Sequence, residues 1–384
     1  MRRTEHDLLP SSLGSRKTLT AFHYGTAGAR PKVYIQASLH AGELPGMLVA
    51  HHLRVLLEAA DAAGELRGEV VLVPAANPIG LTQRLYHHPQ GRFELNTAEN
   101  FNRHYPALAD AIWDAVQGPL SADAEANVTL VRAAVADWLQ AWQPETELQS
   151  MRRHLLLLAH DADTVLDLHC DAEATLHLYT EEPCWPALEP LARLLGCQAV
   201  LLAKDSGGGS FDECLSGLWW RLRDRILDAG LQGIPPEALP QACASTTVEL
   251  RGEADVDHAL AAQDAGAIMA YLAHLNVWRS PLPVAALPAL ACKATPLSGS
   301  QTLRSPLSGV LVFLARPGAR LAVGDVVAEV IDPTADAASR VTPIRAEAAG
   351  VLYATVSDRY VHAGGEVGKI AGAVPFRTGN LLGA

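Results

Sequence analysis

The six cysteines, at 170, 184, 197, 214, 243 and 292, never form CxxC or any other tight pair. That spacing excludes a zinc knuckle and a dense disulfide framework, and predicts reduced thiols. The chain also lacks any run of about eighteen apolar residues, the length a membrane-spanning helix needs. The N-terminal MRRTEHDLLPSSLGSR has two arginines but no apolar stretch behind them, so the chain reads as soluble and cytoplasmic, without a membrane partner. Basic charge is not in excess: 30 Lys and Arg stand against 42 Asp and Glu, a net charge of -12 without long runs. Nucleic acid is therefore excluded as the expected partner. The tightest glycine cluster, SGGGS at 206–210, has neither a P-loop lysine in register nor the GxSxG order of a nucleophile elbow, and is expected to be a loop near the pocket.

At 384 residues and 49% hydrophobic content, the chain is long enough for one large domain and a smaller one, each with its own core. Strand-like runs at 33–38, 69–74, 164–170, 199–203 and 246–250 alternate with helical patterns at 45–60, 128–142, 187–195, 212–227 and 256–275. This alternation predicts an α/β fold, a mostly parallel mixed sheet with helices on both faces. The segment 281–301, rich in proline and small residues, reads as a linker between a catalytic unit at 1–280 and a C-terminal β unit at 302–384. In that unit Gly309-Val310-Leu311 recurs as Gly350-Val351-Leu352, and Gly324-Asp325-Val326 as Gly365-Glu366-Val367, an offset of 41. Two interlocked β units forming a small sandwich or barrel follow from the repeat. The tail resembles the barrel-sandwich of biotinyl and lipoyl carrier domains, but the turn at 332–343 has no lysine, and Lys369 is the sole lysine after residue 300. A structural or site-covering module is expected instead of a carrier.

The chemistry concentrates in three segments. His40 and Glu43 stand three apart just after the run at 33–38, His169 ends the run at 164–170, and Glu249 lies in the run at 246–250. Ligands collect at the carboxyl ends of strands in such sheets. Two histidines and a carboxylate, His40, Glu43 and His169, form a set for one Zn²⁺ per chain that leaves a position for water, and Glu249 is the free carboxylate that moves a proton. Cys170 adjoins His169, but neighbours on a strand point to opposite faces, so it is expected in the core. Asp167 shares a face with His169 and either orients it or caps a loop. The loops NPIGLTQR at 77–84 and NFNRHYP at 100–106 offer Asn102 and Arg103 as a carboxylate clamp and Arg84 to polarise a carbonyl. His87, His88, His104 and His177 are read as polar loop or face residues, not as ligands.

HAGE at 40–43, NPIG at 77–80, FNR at 101–103, DLH at 167–169 and ELR at 249–251 together resemble the succinylglutamate desuccinylase and aspartoacylase family of the zinc carboxypeptidase clan. The resemblance implies the same roles: His40, Glu43 and His169 on zinc, Glu249 as proton shuttle, Asn102 and Arg103 on a substrate carboxylate, and Arg84 facing the carbonyl oxygen. It also implies a C-terminal β domain. Peptide-cleaving members of the clan have a functional tyrosine upstream of the late glutamate, and residues 201–250 contain none. The expected activity is therefore deacylation of an N-acyl amino acid or a related small amide. The alternatives are a metallocarboxypeptidase acting on short or cell-wall peptides, and a metal-binding protein with a vestigial site. A homo-oligomer stays open.

Overall fold

The computed structural model describes residues 1–231, 233–281 and 286–381. Its centre is a nine-stranded sheet. In spatial order its strands are Arg2–Asp7, Thr18–Gly25, Glu69–Val73, Lys32–Ala37, Thr164–Asp171, Ala244–Gly252, His177–Glu181, Ala199–Ala203 and Ala294–Pro296. Five of the eight pairings are parallel. The other three are antiparallel: two at the N-terminal edge and one where His177–Glu181 inserts between Ala244–Gly252 and Ala199–Ala203.

Continuous apolar runs form the central strands because both sheet faces are covered. Along Lys32–Ala37 the pleat sends Val33 and Ile35 to one core, with helices Pro45–Ala62, Trp185–Leu195 and His258–His274, while Tyr34 joins the opposite core. That second core contains Leu108–Val116, Ala124–Ala141, Glu147–Ala159 and Phe211–Asp228. Helices therefore lie on both faces, as the alternation predicts, and Pro45 opens its helix in the first turn, where a proline costs no hydrogen bond.

The stretch expected as linker behaves in two ways. Residues 282–285 lie outside the described residues, whereas Ala294–Pro296 join the large sheet as its edge strand. Beyond it, two antiparallel sheets of five and four strands enclose one core containing Leu303, Leu352 and Ile370 from the first sheet and Leu311, Val330 and Ile344 from the second. The sequence repeat maps onto equivalent strands: Gly309 and Gly350 open one strand in each sheet, and Val326–Ile331 and Glu366–Gly372 follow the paired glycine turns. These sheets are tied to the first part of the chain. Glu173–Ala174 pairs with Gly350–Thr355, the Thr175 amide donates to the Tyr353 carbonyl at 2.9 Å, and Lys369 Nζ lies 2.8 Å from Asp171 Oδ2. Lys369 is thus engaged with the nine-stranded sheet and not held out on a hairpin. Among the described residues, no helix is long and apolar enough to cross a membrane.

Candidate metal and catalytic site

Three neighbouring strands set the site. Lys32–Ala37, Thr164–Asp171 and Ala244–Gly252 are adjacent and parallel, so their carboxyl ends lie side by side. The register places Glu249 directly opposite His169. HAGE forms the turn from Lys32–Ala37 into the helix at Pro45, closed by the Glu43 amide donating to the His40 carbonyl at 3.0 Å.

Two motifs hold this turn in place. Asn77 of NPIG donates through Nδ2 to the Leu39 carbonyl and accepts from the Gly80 amide, both at 2.8 Å. The Gly91 carbonyl accepts from the Ala41 amide at 2.8 Å, and a β-carbon on Gly91 would fall 2.3 Å from the Gly42 nitrogen, so the close approach requires glycine.

His40 Nδ1 lies 2.8 Å from Glu43 Oε1, and His169 Nδ1 lies 2.8 Å from Glu43 Oε2. The possible ligand atoms of the three residues fall within 4.8 Å of one another, and all three side chains are buried. Each far nitrogen faces a polar group. His40 Nε2 is 2.8 Å from Asn100 Oδ1, an oxygen that also accepts from the Asn102 amide. Nε2 therefore carries the proton, and Nδ1 keeps its lone pair. His169 Nε2 faces Asp167 Oδ2 at 3.0 Å, and Gln36 holds the other Asp167 oxygen at 3.0 Å. A ring nitrogen turned inward with its partner nitrogen on a carboxylate or amide is how a metal-binding histidine is oriented. The donor set of two nitrogens and a carboxylate fits a zinc ion with an open position.

The electrostatics agree. Burial pushes the Glu43 carboxyl up, but His40 and His169 outweigh burial and hold it well below the usual range. Burial opposes charge on His169, yet Asp167 and Glu43 raise it well above 6.5. A divalent ion held here would take the Nδ1 lone pair in place of that proton. The Cys170 amide donates to Glu43 Oε2 at 3.2 Å, and its thiol is not part of the ligand cluster.

Glu249 lines a cleft of about 310 Å³ together with His40, His169, Asn102 and Arg103. Its Oε2 is buried without a hydrogen-bond partner. Arg251 does not neutralise it, because that guanidinium clamps Asp264 at 2.7 and 2.9 Å. Burial first, then the charges of Glu43 and Asp171, push the Glu249 carboxyl up to about 8, while His169 and Lys369 pull the other way.

Arg103 is buried in the cleft wall and donates to the Asn102 carbonyl at 2.7 Å. Asn102 Oδ1 accepts from the Phe211 amide at 2.8 Å, so one end of this side chain anchors the helix Phe211–Asp228. The SGGGS loop packs on the same arginine: its carbonyls take the His104 and Tyr105 amides, and a β-carbon on Gly208 would lie 2.8 Å from Arg103 Cδ.

Arg84 is placed elsewhere. It is exposed, donates to the His87 carbonyl at 3.2 Å, and lines a neighbouring cavity of about 390 Å³ on the far side of His40 and Glu43. Arg92 lines both cavities, with Nη1 3.3 Å from His40 Nδ1 and 3.5 Å from Glu43 Oε1. Sequence reasoning missed Arg92, whose only signal is its glycine neighbour in an irregular stretch between the two asparagine motifs. It also missed Tyr179, Asp212, Glu213 and Lys369, all in the cleft wall. His177 is buried against Tyr353, with its ring centroid 4.9 Å away, and burial pushes it down to about 4; it is outside the ligand cluster.

Residues 29–135 match the model of the succinylglutamate desuccinylase/aspartoacylase catalytic domain. A Shewanella amazonensis SB2B protein provisionally assigned to the succinylglutamate desuccinylase/aspartoacylase family is 26% identical, with 97% of this chain and 98% of that one covered and a TM-score of 0.81. A Shewanella frigidimarina NCIMB 400 protein of the same provisional assignment is 24% identical, with 97% of each chain covered and a TM-score of 0.80. A succinylglutamate desuccinylase/aspartoacylase from Rhodobacter sphaeroides is 14% identical, with 97% of this chain and 96% of that one covered and a TM-score of 0.64, and shares the fold. No curated protein matches the chain. Motif order, domain match and whole-length structural likeness point the same way: residues 29–135 match the succinylglutamate desuccinylase/aspartoacylase catalytic domain, and the whole chain is similar in fold to structures assigned to that family.

Proposed function

We propose that this chain is a zinc-dependent amide hydrolase that removes the acyl group from an N-acyl amino acid or a related small carboxylate-bearing amide. The observation that carries the reading is the unpartnered, buried Oε2 of Glu249 in the same cleft as His40 and His169. A structural metal site closes with protein ligands and needs no free carboxylate beside it. This argues against a vestigial, merely metal-binding protein.

A divalent ion held by His40, Glu43 and His169 would lower the pKa of water to about 7 and polarise an amide carbonyl. Glu249 takes the proton of the attacking water and returns it to the leaving amine nitrogen. Its raised pKa suits both halves of that task near neutral pH. Arg103 holds a substrate carboxylate, with Asn102 beside it. Arg92, within reach of the ligand cluster from both cavities, is better placed than Arg84 to meet a carbonyl oxygen, so Arg84 keeps a role only at the neighbouring cavity.

Leu297, Glu366 and Lys369 wall the cleft from the C-terminal side. This supports reading 302–384 as a unit that covers the catalytic part at 1–280, and favours a small substrate over a long peptide. The peptidase reading retains one observation. Tyr179 lies in the cleft although 201–250 has no tyrosine, because it arrives on the inserted antiparallel strand His177–Glu181.

The test is hydrolysis of a panel of N-acyl amino acids and short peptides by metal-quantified protein, with and without chelator. Chelator-sensitive release from N-acyl amino acids alone is expected. Cleavage confined to peptides would move the assignment to a metallocarboxypeptidase.

A further inference from the structure

Asp212 and Glu213 open the helix Phe211–Asp228 and line the cleft, only 5% and 9% exposed. Asp212 accepts from Ser210 Oγ at 2.5 Å and Thr247 Oγ1 at 3.1 Å; Glu213 accepts from the Ser206 amide at 3.1 Å. Among the described residues neither makes an ion pair, although other buried carboxylates do: Glu147 with Lys17 at 2.9 Å and Asp264 with Arg251 at 2.7 Å. A helix N-terminus favours acids in its first turn. An exposed acid meets that preference equally, so the dipole does not account for two carboxylates buried against a cavity. Burying charge without a counter-ion is strongly unfavourable. Burial accordingly raises both carboxyls, Glu213 to about 7.

A separate observation concerns the same wall. Ser206 is 1% exposed and lines the cleft, and its Oγ has no hydrogen-bond partner. A hydroxyl acceptor and two carboxylates with no direct ion pair among the described residues are complementary to an ammonium, which brings one positive charge and three donors.

We propose that Asp212, Glu213 and Ser206 form a subsite for a cationic nitrogen on the amine half of the substrate, so that the preferred substrates are Nα-acyl derivatives of diamino acids. The inference rests on the hydrolase reading and adds a substrate class to it. Arg103 lies within electrostatic reach of both carboxylates. The α-carboxylate on Arg103 and the side-chain ammonium on the acidic pair then meet adjoining groups of opposite charge.

The test compares Nα-acetylornithine and Nα-acetyllysine with Nα-acetylnorleucine, whose side chain has the same number of heavy atoms as that of ornithine. The parent full-length, zinc-loaded protein is compared with Glu213→Gln, Asp212→Asn and Ser206→Ala. The better cationic substrate is expected to lead in kcat/KM by roughly ten- to hundredfold, the scale of one charge-assisted hydrogen bond. Glu213→Gln and Asp212→Asn should bring that ratio near one, and Ser206→Ala should reduce it a few-fold. A parent that handles the norleucine derivative as well as both cationic ones overturns the proposal, as does a ratio unchanged in both acid variants. If no substrate is turned over, the hydrolase reading fails by itself; calorimetric binding of free ornithine, lysine and norleucine then makes the same comparison, and equal affinities overturn the subsite. If neither acid variant folds, the parent's preference decides.

Discussion

Replacing Glu249 by glutamine separates the two roles its environment gives it. In the metal-free protein, burial and the charges of Glu43 and Asp171 raise the carboxyl from an ordinary 4.5 to about 8. Between those values the unfolded chain has released a proton that the folded chain still holds. Stability therefore falls as pH rises through this window. At about 1.4 kcal/mol per unit, a gap from 4.5 to about 8 sets a ceiling of roughly 5 kcal/mol. Water reaching the carboxylate through the cleft lowers the expected share to about 2 kcal/mol. Glutamine has the same shape and no proton to lose. Stripped of metal, Glu249→Gln should be more stable than the parent at pH 8, with most of that advantage gone at pH 5, as read by urea unfolding at the two values. With zinc restored, the same variant should keep its metal and lose hydrolysis by about 10²- to 10⁴-fold, the range for a deleted general base. An advantage of equal size at both pH values would refute the electrostatic account. Activity within tenfold of the parent would refute the catalytic one, and loss of the metal would make Glu249 a ligand.

The ligand cluster predicts that His169→Ala abolishes stoichiometric zinc by atomic absorption, whereas Asn100→Ala, which frees His40 Nε2, keeps the site but weakens zinc by about 10- to 100-fold; equal affinity in Asn100→Ala would remove it from the support of His40. Gly208→Ala puts a β-carbon 2.8 Å from Arg103 Cδ, and relief of that clash, on the order of 1–3 kcal/mol, should displace the guanidinium. A KM raised about tenfold or more with zinc content unchanged is expected, and an unchanged KM would dissociate Arg103 from substrate binding. Arg92→Ala should lower kcat by about tenfold or more and Arg84→Ala by less, since only Arg92 lines the cleft that holds Glu249; the reverse order would return the carbonyl contact to Arg84.

How much of this was legible depends on whether the information is local. The five buried strands and their helices read from the sequence within a few residues, because a strand covered on both faces has to be a continuous apolar run. Arg2–Asp7, written RRTEHD, has no such run. It is an edge strand whose order comes from its ladder with Thr18–Gly25, and a ladder partner is not a local property. Glu147–Ala159 hides its period behind four consecutive leucines at 155–158.

The same division runs through the site. His40, Glu43, His169 and Glu249 were readable because each lies at a strand's carboxyl end, and parallel neighbours bring such ends together whatever the rest of the chain does. Tyr179 was not readable, since its place follows from one antiparallel strand inserted beside Ala244–Gly252, a choice of sheet order that no window of residues encodes. Lys369 marks the limit of exclusion from sequence. The absence of a lysine from 332–343 argued against a carrier role, yet where the remaining one would point depended on docking. Strand Glu366–Gly372 is antiparallel to its neighbours in a separate sheet, and the docking of that sheet, through its pairing with Glu173–Ala174, brings Lys369 to Asp171, two residues beyond His169. The His40, Glu43 and His169 cluster thus belongs to the order of the strands, whereas the walls of the cleft belong to the way two sheets meet. The cleft beside Glu249 is accordingly lined by contacts from distant segments, which no motif records.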